Sequence, residues 1–94
     1  MDRRSLINLR RVLSHAEYEL GISKLSDVEK KVYYAAMECS DEFGNFMSDA
    51  VRASDLCNDV PHATYHRTLT RLLKYEIFQK ISGTERNRYR LTVE

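Results

Sequence analysis

Val60-Pro61-His62-Ala63-Thr64-Tyr65-His66-Arg67-Thr68-Leu69-Thr70-Arg71-Leu72-Leu73-Lys74-Tyr75 reads as a single helix, and the rest of the chain is organised around it. Pro61 suits the first helical position, where its missing N–H has no partner to lose. Tyr65, Leu69, Leu72 and Leu73 fall at i, i+4, i+7 and i+8 and make one apolar stripe. The opposite face carries His62, Ala63, His66, Arg67, Thr70, Arg71 and Lys74. A helix anchored by one stripe, with small, polar and basic side chains opposite, has the shape and chemistry to enter a DNA major groove. An ordinary solvated surface helix shows the same pattern, so its neighbours must decide.

The neighbours on the C-terminal side change period. Ile77-Phe78-Gln79-Lys80-Ile81-Ser82 and Arg88-Tyr89-Arg90-Leu91-Thr92-Val93 alternate with period 2, joined by Gly83-Thr84-Glu85-Arg86-Asn87. The reading is a β-hairpin with Ile77 and Ile81 on one side of its first strand. Its second strand puts Tyr89, Leu91 and Val93 opposite Arg88 and Arg90, giving a basic outer face and a basic, polar tip. On the N-terminal side, Ala50-Val51-Arg52-Ala53 reads as a short extended segment. Ser54-Asp55-Leu56-Cys57-Asn58-Asp59 follows as a short helix capped by Ser54. A turn at Asn58-Asp59-Val60 leads into the long helix, which is the spacing of a helix-turn-helix unit.

Earlier in the chain, Ser26-Asp27-Val28-Glu29 is a capping box that starts a helix running to about Ser40. Val28, Val32, Ala35, Ala36 and Cys39 mark its buried side. Asp41 to Asp49 reads as a loop around Gly44 and Asn45, with Phe43, Phe46 and Met47 tucked under the domain edge. Residues 3–20 predict a further helix ended by Gly21. Leu6, Leu9, Leu13, Ala16 and Leu20 repeat 3-4-3-4 along it, a seam that either covers the domain's own core or pairs with the same helix of a second copy. The division is thus 1–24 for this helix and 25–94 for the domain proper.

Composition narrows the function classes. Ninety-four residues make one small domain, too small for most enzyme scaffolds with a deep pocket. No Gly-rich phosphate loop is present, nor paired carboxylates in an evident pocket, so the chain does not read as an enzyme and calls for no cofactor. His62 and His66 stand at i, i+4, but no third ligand lies beside them, so no metal is expected. No apolar run reaches the ~20 residues of a membrane span. No signal core follows Arg3 and Arg4, and the two cysteines, Cys39 and Cys57, suit a reducing compartment; the expected location is cytoplasmic and away from membranes. The net charge of +1 conceals a polarity. Residues 26–60 carry three basic and eight acidic side chains, a balance of −5; residues 61–94 carry seven and three, a balance of +4. A local positive field, rather than a basic protein overall, is what a polyanion requires.

Taken together the expected class is mainly α with a small β-hairpin (α+β), a winged helix-turn-helix with an additional N-terminal helix. Within that group residues 25–93 most resemble the DNA-binding part of MarR-type bacterial transcriptional regulators. The resemblance is carried by Val51-Arg52-Ala53-Ser54-Asp55-Leu56-Cys57, by Val60-Pro61-His62-Ala63-Thr64-Tyr65-His66-Arg67, and by Leu72-Leu73-Lys74-Tyr75-Glu76-Ile77-Phe78-Gln79-Lys80. It implies a sequence-specific regulator of transcription whose partner is double-stranded DNA. His62, Ala63, Thr64, His66, Arg67 and Arg71 then occupy the recognition helix, Arg52 is a backbone contact, and Arg86, Asn87 and Arg88 belong to the wing. The chain departs from the family in three ways. Tyr75-Glu76 stands where members often carry Gly, Glu85-Arg86 only approximates the wing's Asp-x-Arg, and the C-terminal dimerisation helices are missing from this sequence. The alternative is a winged-helix module that binds a protein instead of DNA, with Phe43, Phe46, Met47, Phe78 and Tyr89 as its exposed apolar patch.

Overall fold

Four helices and three short strands follow one another in the computed structural model, which describes residues 2–81 and 88–92. Helix α1 spans Arg3–Glu19 and α2 spans Asp27–Cys39. Strand β1 is Asn45–Met47, and α3 is Ser48–Arg52. A 3-10 turn at Asp55–Cys57 precedes α4, His62–Lys74. Strands β2, Phe78–Lys80, and β3, Arg88–Leu91, complete the order. The class is therefore α+β, with an antiparallel sheet in the order β1-β3-β2.

Local chemistry explains most boundaries. The Ser26 hydroxyl accepts from the Glu29 amide at 3.2 Å, and the Glu29 carboxylate accepts from the Ser26 amide at 2.8 Å, so the capping box at the start of α2 is complete. Ser54 caps the 3-10 turn through the Leu56 amide. Gly21 lies just past α1 with φ +76°, a left-handed residue that stops the helix at no steric cost. At the end of α4 the same conformation falls on Glu76, with φ +63°. Pro61 is the residue before α4 rather than its first helical one: its ψ of 151° is extended, and only its fixed φ of −60° matches the helix.

The core lies between α2, α4 and the inner face of the sheet. Val32, Ala35 and Ala36 from α2 meet Tyr65, Leu69 and Leu72 from α4, with Phe46, Phe78, Tyr89 and Leu91 beneath them. The small alanines let α2 approach α4 closely. Phe78 stacks on Tyr33 and meets Phe46 edge-on at 4.9 Å between ring centres. Helix α2 packs against α3, the 3-10 turn and α4 in succession and is the central post of the fold.

Five expectations need correction. Residues 45–47 are not loop but strand, because Asn45, Phe46 and Met47 pair with Arg90, Tyr89 and Arg88. Residues 48–52 are helical, not extended; the helix starts directly off β1, so the chain turns from sheet to helix without a linker. In β2 the core-facing residue is Phe78, while Ile77 and Ile81 are only half-buried. Of the supposed apolar patch, Phe46, Phe78 and Tyr89 are buried; Phe43 and Met47 alone remain exposed. Finally, the α1 seam does not cover the core: Leu6, Leu9, Leu13, Ala16 and Leu20 are all exposed, and Glu17 is the single buried residue of the helix.

Candidate nucleic-acid interface

Helix α4 presents its side chains in two sharply divided sets. Tyr65, Thr68, Leu69 and Leu72 are buried, and His62, Ala63, His66, Arg67, Thr70, Arg71 and Lys74 are exposed. Thr64 and Leu73 are half-buried between them. The stripe fixes the rotation of the helix, and so fixes which residues look outward.

Its position along the axis is set by polar contacts. The Tyr65 hydroxyl lies 2.8 Å from Ser48 Oγ and 3.1 Å from the Ser48 carbonyl. A phenol has one proton, so it donates to the carbonyl and accepts from the serine hydroxyl. Both residues are buried, and the pair locks the first turn of α4 to the start of α3. Burial pushes the Tyr65 phenol above its usual range, which keeps that donor in place. Lys31 Nζ donates to Asp59 at 2.7 Å and ties the turn ahead of α4 back to α2. That bond is also the main cause of the raised lysine and lowered aspartate pKa. Both partners are solvated, so this contact positions the turn more than it stabilises it.

The exposed first two turns form a cationic and imidazole cluster. The His62 and His66 rings meet edge to face at 4.4 Å. Arg52, at the end of α3, is close enough that its charge is the leading cause holding His62 below the ordinary imidazole range; burial and His66 add to it. Arg67 reaches back toward Thr64 Oγ1 at 3.4 Å, a long contact that leaves most of its guanidinium free to bond elsewhere. Thr68 and Thr70 turn their hydroxyls onto the carbonyls of Thr64 and His66. Arg52 from α3 and the two imidazoles of α4 thus meet at the start of α4, and Arg67 follows on the exposed side of the same helix. A guanidinium is a planar fork of donors whose geometry matches phosphate or a guanine edge.

Beside α4, the outer face of the sheet carries Arg90, whose Nε donates to Asn45 Oδ1 at 3.0 Å, and Gln79 opposite it. Arg88 is half-buried on the same strand and pairs across to Met47. Arg86 and Asn87 lie outside the described residues. Of the sequence-derived set, Arg52, His62 and His66 come together, and Ala63, Thr64, Arg67 and Arg71 lie along the same helix as the histidines. Two contributors escaped the sequence reading. Ser48 has no periodic signal, and Tyr65 was legible as an apolar residue but not as a hydrogen-bonded anchor.

Comparison with known proteins adds no relative: no family model, no curated protein and no solved structure matches the chain.

Among the described residues no group of three or more His, Cys, Asp or Glu is placed to hold a metal ion. Cys39 and Cys57 are free thiols, and burial raises both above their ordinary range, which leaves little thiolate for oxidation. Among the described residues no helix is long and apolar enough to cross a membrane.

Proposed function

We propose that the chain is a winged helix-turn-helix module that binds double-stranded DNA and regulates transcription, with α4 as the recognition helix. The observation that carries this reading is the meeting of Arg52, His62 and His66 at the exposed start of a helix that also exposes Arg67 and whose other face is committed to the core. In this arrangement α3 and the 3-10 turn form the first half of the helix-turn-helix, and β2 and β3 are the wing. His62, His66 and Arg67 face base edges in the major groove, with Arg67 suited to a bidentate contact with guanine. Arg52, Arg71 and Lys74 sit where phosphates pass. Arg88 approaches the neighbouring groove. The resemblance to MarR-type regulators supports the same assignment, and burial of Phe46, Phe78 and Tyr89 removes most of the apolar patch that a protein-binding module would use.

The test is fluorescence anisotropy with duplexes selected from a random pool. Arg67→Ala is expected to weaken the selected duplex by about 1–3 kcal/mol and to relax preference at one base pair. Arg71→Ala is expected to weaken all duplexes alike and to shallow the salt dependence. A wild-type chain that selects no duplex at low salt would refute the reading.

A further inference from the structure

The seam of α1 has no partner within the chain. Leu6 is 60% exposed, Leu9 52%, Leu13 44% and Leu20 43%. A second irregularity lies on the same helix. Asp2 caps the helix by accepting from the Ser5 amide at 2.7 Å, but within the helix the charges run against the dipole, with Arg3 and Arg4 in the first turn and Glu17 and Glu19 in the last. Both placements disfavour an isolated helix, because the N-terminus already carries partial positive charge and the C-terminus partial negative. An isolated helix of 17 residues is marginal in water even with favourable composition.

One neighbour corrects both defects. We propose that α1 pairs antiparallel with α1 of a second copy of this chain. The 3-4 spacing then sets Leu6 of one copy against Ala16 of the other, and Leu9 against Leu13. Residues 2–11 carry four arginines and Asp2, a balance of +3; in residues 12–20 Glu17 is taken up by Lys30 within the chain, so the exposed charge is that of Glu19, a balance of −1. Antiparallel pairing lays the first half on the second. Parallel pairing lays each half on its own like. The two helix dipoles also oppose in the antiparallel arrangement, which attracts. Glu17 is already held by Lys30 at 3.2 Å and by the Tyr34 hydroxyl at 2.5 Å, so the C-terminal end of α1 is rigidly joined to the body and presents its seam in a fixed direction. Two helices of this length make an interface at the small end of the specific range, so the pair is expected to dissociate at roughly micromolar concentration. The pairing does not depend on the chain binding DNA.

Sedimentation equilibrium of the full chain from ~1 to ~100 μM tests it. The mass is expected to rise from 11.0 kDa toward twice that value. The double variant Leu9→Lys, Leu13→Lys is expected to stay monomeric and, at ~1 μM or below where the wild-type chain is also dissociated, to melt as the wild type does, since neither side chain belongs to the core. Orientation is read by mild oxidation. Val12→Cys is expected to form a disulfide-linked dimer, because Val12 of the two copies lies side by side in the antiparallel pair; Leu6→Cys is not. The wild-type chain with Cys39 and Cys57 gives the background. A mass of 11.0 kDa at every concentration overturns the proposal, and α1 then belongs to a different partner. So does a dimer that survives the double variant. Linkage at Leu6 rather than Val12 overturns the antiparallel arrangement.

Discussion

His62 sits at the point where two helices bring positive charge together, and its titration reports that geometry. Arg52 disfavours the imidazolium, so the free protein holds His62 neutral further down the pH scale than an unfolded chain does. The sign for stability follows. As pH falls through the ordinary imidazole range the unfolded chain takes up the proton first, so this residue's contribution to stability is present above that range and lost below it. The negative field of a bound duplex, with acceptor atoms on the base edges that His62 faces, reverses the sign for binding, because it favours the imidazolium. Duplex affinity is therefore expected to rise as pH falls from about 8 to about 6, and to rise less in His62→Gln. NMR titration of the free protein supplies the matching measurement: the His62 ring should protonate below its usual value, and Arg52→Ala should move it back up. A ring that titrates normally in both proteins would separate Arg52 from the site.

At the scale of elements, the exit from α4 is the place where backbone and side chain disagree. Glu76 holds φ +63°, a region where a Cβ crowds the carbonyl, yet its carbonyl is needed there to accept from the Thr92 hydroxyl. The turn closes the helix onto β2, with the Ile77 amide donating to the Leu72 carbonyl at 3.0 Å and Thr92 bonding Ile77. Glu76→Gly keeps every backbone bond and removes the crowding, so it is expected to stabilise the protein by about 0.5–1 kcal/mol in urea unfolding. A lower midpoint would mean that the glutamate side chain makes up for its strained backbone. The sequence raised this question on its own, since a non-glycine residue at that exit must either adopt the left-handed conformation or avoid it. Other elements were legible for similarly local reasons. Ser26 and Glu29 announce their helix by spacing alone, and the α4 stripe needs only a period. What was hidden depends on distant partners. Asn45, Phe46 and Met47 are too few to alternate visibly and become a strand only because β3 lies alongside. Val51 reads as extended on propensity, but Ser48 is pinned by Tyr65 from 17 residues away and the helix forms. Phe78 faces inward because the α4 exit shifts the strand by one residue, and a one-residue shift exchanges the faces. The candidate site divides the same way: His62 to Arg67 follow as the complement of the stripe, whereas the approach of Arg52 to His62 is tertiary and left no trace in the spacing.

Across the whole molecule, stability is unevenly spread. The chain extends 49 Å in its longest direction and 22 Å in its shortest, and α1, about 25 Å long, contributes one buried residue. Its attachment consists of Glu17 held by Lys30 and Tyr34, and of Ile22, which enters the core just after the helix. Helices α2 and α4, by contrast, are sewn into one core by Val32, Ala36, Tyr65, Leu69 and Leu72. Amides fail to exchange with solvent only as long as their helix stays closed, and a helix without buried apolar contacts opens without the rest of the fold. In dilute solution the amides of Leu9 and Leu13 are therefore expected to exchange orders of magnitude faster than those of Leu69 and Leu72. The same experiment repeated at rising protein concentration distinguishes attachment to the body from pairing between copies. Protection of α1 that grows with concentration, while protection of α4 stays constant, is the pattern of a helix completed by a second chain. Protection of Leu9 equal to that of Leu69 at every dilution would show instead that α1 is bound to its own body by forces beyond the Glu17 contacts and Ile22.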